Sequence, residues 1–402
     1  YRAIHRYSAG MSLPTINAEK VAIFVGAHVK WSTLLTNYVE KFCEMYNGVV
    51  LCDHISNYKG RYAVEANLMG QQTISNSIVK RPIDLLIYIG DVFAPMYPIS
   101  TENVWRVNPD GELRDPFRKL RAVFEMQEEE FFKEYTDRTN ETSNLSFWKA
   151  CSEEYDSVYK DVWEKIETLP FGNAWVASQT SRKLPENSVL HLGIQNSLRF
   201  WNFFPISNSV CCYCNTGGFG IDGSISSTIG ASLCNKDKLY YCVLGDLAFF
   251  YDLNALGNRH IGKNLRILLV NNGKGTEFKL SGNPGSRFGD AGDLYIAAAG
   301  HYGNKSKTLV KHFAEDLGFE YLSAETKDEY IDSLAKFLST EPTQKSIIFE
   351  IFTTSENEDR SLTILREMHI DDKIQTERKI KNAIKGVVGK KGVAAAKKIL
   401  GN

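Results

Sequence analysis

Residues 239–247 read LYYCVLGDL, and residues 265–272 read LRILLVNN. Each stretch is an apolar run of strand length that ends in polar residues. The distance between the two runs fits one strand–helix–strand crossover, the connection that neighbouring parallel strands require. We therefore expect a parallel α/β sheet that brings the Asp246 carboxylate and the Asn272 amide to one edge, where open sheets of this kind bind ligands.

The chemistry of these two side chains indicates a metal ion. Carboxylate and amide oxygens are hard ligands that suit Mg²⁺ or Ca²⁺, and Mg²⁺ in proteins is commonly shared with a phosphate group. Each residue alone has an ordinary explanation, because Asp often caps helices and Asn often forms turns. Together, at the ends of two neighbouring strands, Asp246 and Asn272 predict a site for a metal and a phosphate.

The composition sets limits on the class of protein. A length of 402 residues favours two domains, and a net charge of −1 gives no indication of a nucleic-acid partner. No apolar run is long enough to predict a membrane span, and the N-terminus lacks the apolar segment of a signal peptide. The eight Cys show no disulfide framework, so we expect a cytoplasmic protein.

Three of these cysteines, Cys211, Cys212 and Cys214, lie close together in a CCxC run. A metal site would need further Cys or His at ligand spacing, and the sequence shows no second CxxC. We therefore interpret residues 210–214 as a buried strand in which Cys acts as a small apolar residue.

Apolar runs divide the chain into two blocks of alternating strands and helices, which predicts two doubly wound, mainly parallel α/β domains. The expected strands are 21–25, 49–52, 85–89, 104–107 and 122–124 in the first block, and 188–192, 210–214, 239–244, 265–270 and 346–352 in the second. The expected organisation is a linker from an upstream domain at 1–15, a Rossmann-like domain at 16–145, a helical connector at 146–170, a ligand-binding domain at 171–365 and a basic helical tail at 366–402.

Two further segments stand out. The span 273–300 is long and rich in Gly, and a loop of that length in a compact domain often serves as a lid. The tail combines Lys with interleaved apolar residues, a pattern that suits a membrane-surface or partner-binding helix. Its glycines at 386, 389 and 392 weaken any helix, so we favour a packed or frayed arm.

Four Gly-containing loops follow four successive strands of the second block: 193–197, 215–223, 245–248 and 271–275. Glycine permits close backbone approach, and helix N-termini offer unpaired N–H groups to a phosphate. One such loop is a weak signal, whereas four at the same edge of one sheet predict a phosphate-containing ligand.

In these loops the sequence resembles thiamine diphosphate-dependent enzymes. The matching motifs are GxxNS at 193–197, GIDG at 220–223, GDL with YDLNAL at 245–256 and VNN at 270–272. YDLNAL is the most particular of them and resembles the family of 2-succinyl-5-enolpyruvyl-6-hydroxy-3-cyclohexene-1-carboxylate synthases of menaquinone biosynthesis. The resemblance covers most of residues 15–355, and it implies that the first block is the central domain of that family.

The resemblance implies thiamine diphosphate and Mg²⁺ as cofactors, bound by the second block. The implied metal ligands are Asp246, Asn272 and the backbone carbonyl of Lys274. Ile221 matches the apolar residue that holds the cofactor in its bent form. The other implied cofactor-binding residues are Asn196, Ser197, Gly220, Asp222, Gly245, Leu247 and Ala248. The family also implies a homodimer or tetramer with the active site between chains.

The family's catalytic glutamate lies in a pyrimidine-binding domain that has no counterpart in this sequence. The polar segment that begins at Tyr1 matches the linker after that domain. We therefore expect the domain in the same longer protein or in another subunit. On this interpretation the 402-residue chain alone is not a competent catalyst.

The substrate positions depart from the family pattern. Thr216 and Trp201 stand where the family has Arg, with Arg199 two positions before the second, and Glu277 replaces an apolar residue. Because Arg is the usual clamp for carboxylates, these changes argue against substrates with several carboxylates. They predict a related enzyme that decarboxylates a 2-oxo acid and joins it to another small-molecule acceptor. The candidate substrate residues are Arg199, Thr216, Glu277 and Phe278.

Two alternatives remain open from the sequence. The chain could carry the activity of the menaquinone-pathway synthase itself, or it could be a non-catalytic regulatory or scaffold subunit that retains the fold. A scaffold has little reason to keep Asp246, Asn272 and Ile221 together, so cofactor binding distinguishes these classes.

Overall fold

Two all-parallel β-sheets with helices between successive strands form the part of the chain that the structure describes. This structure is a computed structural model, and it describes residues 3–370 apart from 30, 74, 93–96, 139–140, 300–305 and 342. The sheets confirm the predicted α/β class with two doubly wound layers. Most of the predicted basic tail, residues 371–402, lies outside the described residues.

The described strands and helices alternate along most of the chain. The strands are β1 His5–Ser8, β2 Val21–Val25, β3 Gly48–Cys52, β4 Ala63–Glu65, β5 Leu85–Ile89, β6 Val104–Val107, β7 Leu120–Glu125, β8 Val189–Leu192, β9 Cys211–Tyr213, β10 Tyr240–Gly245, β11 Leu265–Asn271, β12 Glu320–Ala324 and β13 Ile347–Phe352. The helices are α1 Thr33–Tyr46, α2 Ala66–Gln71, α3 Glu128–Thr136, α4 Ser146–Lys165, α5 Asn173–Thr180, α6 Asn196–Trp201, α7 Ser224–Cys234, α8 Asp246–Tyr251, α9 Leu309–Asp316, α10 Lys327–Phe337 and α11 Ser355–Arg366.

The first sheet has the strand order β1-β7-β6-β5-β2-β3-β4. Every residue of β2, β3 and β5 is buried, because helices or the second sheet's elements cover both faces. Strands covered on both sides form continuous apolar runs, which is why the sequence located them. A strand is present at each of the predicted positions in this block.

The edge strand β1 falls within the segment predicted as a linker. His5–Ser8 pairs in parallel with β7, and the Tyr7 ring stacks on Phe124 with ring centroids 5.0 Å apart. An edge strand is paired on one side and half exposed, so it needs no apolar run to form. The predicted linker therefore contributes a strand to the first sheet.

The second sheet has the strand order β12-β13-β11-β10-β8-β9. Gly245 at the end of β10 lies opposite Val270 near the end of β11, so both polar loops leave the sheet at the same edge. The chain runs outward in one direction from β8 to β9 and in the other from β10 to β11. The loops after β8 and β10 therefore flank a topological switch point, the usual ligand position in doubly wound sheets.

Helix α4 and a buried histidine join the two sheets into one packed unit. The Tyr159 hydroxyl of α4 donates to the Phe203 carbonyl at 2.8 Å, and the His54 amide donates to Asn202 Oδ1 at 3.0 Å. His54 is fully buried, and its Nε2 lies 2.9 Å from the carbonyl of Trp201. One apolar cluster includes residues of both sheets and of α4, so the second sheet is held firmly against the first.

Asn47 connects the end of α1 to the segment before β2 and to the start of α4. Its backbone is left-handed, with φ 49° and ψ 47°, a conformation that Asn tolerates better than most residues. The side-chain amide donates to the Glu19 carbonyl at 2.7 Å and to Ser146 Oγ at 3.2 Å, and its oxygen accepts from the Phe147 amide at 2.9 Å. Asn47 thus fixes the start of α4 against the first sheet.

We expect Asn47→Ala to lower the free energy of unfolding by about 2 kcal/mol or more, because several hydrogen bonds are lost with the left-handed preference. Asn187→Ala is the matched control, since Asn187 is also left-handed, with φ 60°, but is exposed. Urea unfolding of both variants measures the difference. Equal losses would show that the Asn47 side chain does not hold α4 in place.

None of the helices in the described part of the chain combines the length and apolar character that crossing a membrane requires.

Candidate functional site

The loops that follow β8, β10 and β11 surround a cleft of about 410 Å³ at the carboxyl edge of the second sheet. The cleft lies at the topological switch point, where doubly wound sheets bind ligands. Most of the residues predicted from the sequence line it together. They are Asn196, Ser197, Ile221, Gly245, Asp246, Leu247, Ala248, Asn272, Lys274, Glu277 and Phe278.

Four of the predicted residues do not line this cleft. Asp222 is exposed and Gly220 half-buried, whereas Thr216, in the same loop between β9 and α7, is buried. Arg199 is buried in α6 and reaches the wall of the cleft through its contact with Glu277. The role of each in binding stays a prediction.

The Asp246 carboxylate ties the β10 loop to the β11 loop. Asp246 is 2% exposed; its Oδ1 accepts from the Leu247 amide at 2.7 Å, and its Oδ2 accepts from the amides of Gly273 at 2.6 Å and Asn272 at 3.2 Å. Backbone N–H donors on both oxygens fix the plane of the carboxylate. The side chain is therefore held in one orientation at the cleft before any ligand binds.

The paired asparagines point to different places. Asn271 is buried and donates to Glu350 Oε1 at 2.7 Å on β13, inside the sheet. Asn272 lines the cleft, and its Oδ1 accepts from the Lys274 amide at 3.3 Å. Of the two, Asn272 is therefore the asparagine that a ligand in the cleft can reach.

Asp246, Asn272 and Lys274 are the candidate metal donors of this cleft. The Lys274 carbonyl accepts from the Thr276 amide at 2.9 Å, and the Lys274 ammonium pairs with Asp293 at 2.9 Å. No group of three or more His, Cys, Asp or Glu side chains suited to a metal occurs within the described ranges. A metal here would therefore have one carboxylate, one amide and one backbone carbonyl, completed by a ligand such as a phosphate.

Arg199 and Glu277 form a bidentate ion pair at the wall of the cleft. The two guanidinium nitrogens lie 2.6 and 2.9 Å from the two carboxylate oxygens, and one also donates to Asn196 Oδ1 at 2.5 Å. A planar fork of this kind is the strong form of Arg–carboxylate contact. The positive charge of Arg199 is thus already matched by a carboxylate of the same chain.

Gln195, immediately before α6, was missed by the sequence reasoning. Its backbone has φ 69° and ψ −115°, which is unfavourable for a residue with a side chain, and it lines the cleft. Such strain persists where the surrounding structure imposes it, often at functional sites. The only sequence signal is its position between two of the matched motif residues, Gly193 and Asn196.

Glu358 on α11 was also missed, and it is the most unusual group in the cleft. It is 1% exposed, lines the cleft, and accepts at Oε1 from the Asn173 amide at 3.0 Å. Burial raises the pKa of Glu358 to about 7; the negative charge of Asp246 acts in the same direction, while the backbone amide of Asn173 and the nearby Thr353 hydroxyl oppose it. The carboxyl therefore keeps a proton up to near-neutral pH.

The Gly-rich span predicted as a lid contains 3₁₀ turns at Thr276–Lys279 and within Pro284–Gly292, where the non-helical backbone of Gly289 divides the second stretch in two. Asn283, between them, lines the cleft, and Asp293 beyond them pairs with both Lys274 and Lys279. These ion pairs hold the span beside the candidate metal donors. Its action as a lid stays a prediction.

The fold and the cleft define a doubly wound α/β protein with a cleft at a topological switch point. Comparison of the sequence with known proteins confirms the resemblance that the motifs indicated. The chain is similar to proteins named 2-succinyl-5-enolpyruvyl-6-hydroxy-3-cyclohexene-1-carboxylate synthase. It is 31% identical to the one from Bacteroides thetaiotaomicron over 267 residues, or 66% of this chain and 44% of the relative.

Other relatives of the same name give the same result. The chain is 32% identical over 271 residues to the protein from Phocaeicola vulgatus, again 66% of this chain and 44% of the relative. It is 30% identical over 262 residues to the one from Flavobacterium psychrophilum. The chain thus spans less than half the length of these curated relatives. No protein-family model matches it.

The raised pKa of Glu358 predicts how stability depends on pH. Below its ordinary value of 4.5 the carboxyl is protonated in both states, whereas between 4.5 and about 7 only the unfolded chain releases the proton. The group therefore lowers the free energy of unfolding as pH rises through this window, by about 3 kcal/mol in total. Glu358→Gln stays neutral, so we expect it to be more stable than the wild type by up to that amount at about pH 8.

At about pH 5 the advantage of the same variant should shrink to less than about 1 kcal/mol. Urea unfolding at the two pH values measures the change, and Glu356→Gln, an exposed position on the same helix, is the matched control. A difference between Glu358→Gln and the wild type that is the same at both pH values would contradict the assigned cause.

Proposed function

We propose that this chain is the part of a thiamine diphosphate- and Mg²⁺-dependent enzyme that binds the cofactor's diphosphate and metal. The enzyme would decarboxylate a 2-oxo acid and join the product to an acceptor. The observation that carries the proposal is the cleft that collects Asp246, Asn272 and the Gly-rich loops at the switch point of an all-parallel sheet. The similarity to the synthases supports the same cofactor.

The residues present fit a divalent metal and a diphosphate. Asp246, Asn272 and the Lys274 carbonyl would hold Mg²⁺ through oxygen atoms, as this ion prefers. Around Gly245 the space that a Cβ atom would enter is open to 4 Å, so a phosphate could approach the backbone closely. Asn196 and Ser197, at the start of α6, would contact the diphosphate.

The apolar part of the cleft would hold the ring of the cofactor. Ile221 is half-buried and lines the cleft together with Leu247 and Ala248, and it would prop the bent cofactor. At Gly275 a Cβ atom would lie 3.0 Å from the Leu247 side chain, so a glycine there lets the two loops pack closely. Phe278 would help to exclude water from the reacting atoms.

When bound, thiamine diphosphate supplies the electron sink for decarboxylation of the 2-oxo acid. This chain would hold the metal, orient the diphosphate and form the walls of the cleft. We propose that a pyrimidine-binding domain, in the same longer protein or in another subunit, supplies the glutamate that activates the cofactor. The length of the curated relatives and the family's dimers or tetramers support this division.

The Arg199–Glu277 ion pair supports an acceptor other than the one used by the synthases. Because Glu277 already neutralises Arg199, that guanidinium is not available to clamp a substrate carboxylate. Thr216 is buried and neutral, so it does not replace the missing charge. The alternative, the synthase activity itself, is favoured by the name of the relatives and would require Arg199 to exchange partners.

We expect Asp246→Asn to weaken binding of thiamine diphosphate with Mg²⁺ on the order of 100-fold or more, because the metal loses its charged ligand. Calorimetry on the protein assembled with its pyrimidine-binding domain measures the affinity. Asp237→Asn, an exposed position in the turn after α7, is the matched control.

A second variant controls for the possibility that the first variant misfolds. Asn272→Ala removes the amide oxygen that would bind the metal, while leaving the Asp246 carboxylate and its charge in place. Weaker binding in both site variants, with unchanged unfolding, supports the proposal. If the wild-type assembly binds no cofactor, the chain is better explained as a non-catalytic scaffold or regulatory subunit.

The ion pair gives a separate prediction about substrate. Glu277→Gln should release Arg199, so we expect an acceptor analogue with two carboxylates to bind about tenfold more tightly, the worth of one charge-assisted hydrogen bond. Steady-state inhibition or direct titration measures this, with Glu356→Gln as a charge-matched control. Unchanged affinity would indicate that Arg199 lies beyond the reach of the substrate.

A further inference from the structure

Glu358 is a buried carboxyl that lines the cleft, and neither the metal nor the diphosphate contacts proposed above make use of it. It is carried by α11, a helix that no matched motif includes, and it lines the same cleft as Asp246 and Asn272. A carboxyl buried to this degree needs a specific reason, because acidic side chains are rarely fully buried without a partner.

The two oxygens of this carboxyl have different surroundings. Oε1 accepts a hydrogen bond from the backbone amide of Asn173 at 3.0 Å. Oε2 is fully buried and has no hydrogen-bond partner among the described residues. Since buried polar atoms are nearly always hydrogen-bonded in folded proteins, Oε2 is an atom whose partner a ligand in the cleft can supply.

The carboxyl is held in place by the packing around it. Asn173 is itself fixed, because its Oδ1 accepts from the Trp201 indole at 3.2 Å. On the other side, a Cβ atom at Gly172 would lie 3.1 Å from Glu358 Oε1 and 3.2 Å from Thr353 Oγ1. The chain therefore has glycine where a larger residue would press on the carboxyl, and Oε2 keeps a defined position.

The charges around the carboxyl favour its protonated form. On α8 and the β11 loop the facing charged groups are Asp246, Lys274 and Glu277. Lys274 is paired with Asp293, and Glu277 with Arg199 of α6, so Asp246 is the carboxylate whose charge acts on Glu358. On α5 and the β13 end, Asn173 and Thr353 are neutral. Burial and Asp246 together raise the pKa of Glu358 to about 7.

We propose that Glu358 is a hydrogen-bond donor of this cleft, which holds a proton on Oε2 and donates it in a hydrogen bond to an electron-rich atom of the bound cofactor. That the ligand is thiamine diphosphate rests on the proposed function. The assignment of Glu358 as a hydrogen-bond donor rests instead on its burial and on the position of Oε2. The proton is available without a change in the position of the side chain, because Oε1 stays anchored to the Asn173 amide.

This role links ligand binding to proton uptake. Above about pH 7 the unliganded carboxyl is ionised, and a ligand that accepts a hydrogen bond from Oε2 restores the proton. Affinity contributed by this group should therefore be constant below about pH 7 and fall by up to tenfold for each pH unit above it, until the pKa of the bound state is reached. Other titrating groups, including the phosphate of the cofactor, contribute equally in the wild type and in Glu358 variants.

The test is calorimetry of thiamine diphosphate with Mg²⁺ on the protein assembled with its pyrimidine-binding domain. Titrations at about pH 7.5 in two buffers of different ionisation enthalpy count the protons taken up. We expect the wild type to take up more protons than Glu358→Gln, which binds with similar affinity through its amide N–H but loses the extra pH dependence. Glu358→Ala should bind about tenfold more weakly, and Glu356→Gln should match the wild type.

The outcomes separate this inference from the proposed function. If the wild type and Glu358→Gln bind the cofactor with the same proton count and pH dependence, the cofactor proposal stands and the role of Glu358 is wrong. Proton release by the wild type relative to Glu358→Gln would also overturn it, since a donor must gain a proton. If the wild type does not bind the cofactor, both proposals fail.

Discussion

The rest of the site depends on the hydrogen bonds that the Asp246 carboxylate accepts from the backbone of the neighbouring strand's loop. Asp246 begins α8 and accepts amide hydrogens from the loop after β11, so one side chain fixes the relation between two neighbouring strand ends. The parallel register of β10 and β11 makes this contact possible, because both strands end at the same level. The buried Asn271–Glu350 contact extends the connection to β13. Three strands and their loops are thus connected below the cleft by hydrogen bonds.

Much of this arrangement could be predicted from the sequence, because the strands that carry it are buried on both faces. Such strands appear as uninterrupted apolar runs, and the loops after them carry Gly, Asn and Asp in recognisable motifs. The edge strands β1, β4 and β12 were not predicted, since half-exposed strands have mixed composition. The Arg199–Glu277 pair was beyond prediction for another reason: it joins residues distant in the chain through a contact that no local pattern encodes.

The sequence contains a signal for the burial of Glu358, but the polar residues around it in the chain obscure that signal. In the linear sequence Glu358 stands among Asn, Asp, Glu and Arg, which is typical of a solvated helix. On the helix, however, it shares a face with Leu362 and Leu365, four and seven residues later, and that face is buried. An acidic residue on the apolar face of an amphipathic helix is a sign of a special environment. The helical period, applied to α11, would have identified it.

The all-parallel topology has a consequence for how the cleft comes into existence. Its walls come from α5, the loop after β8, β10, β11 and α11, which are spread over nearly two hundred positions of the chain. No pair of neighbouring strands in the described sheets closes through a short hairpin. Contacts of such long sequence separation are established late and slowly during folding. A ligand that recognises this cleft therefore cannot act as a template for early folding steps. It can only capture molecules that have already completed the second sheet, and it shifts the population towards them by mass action.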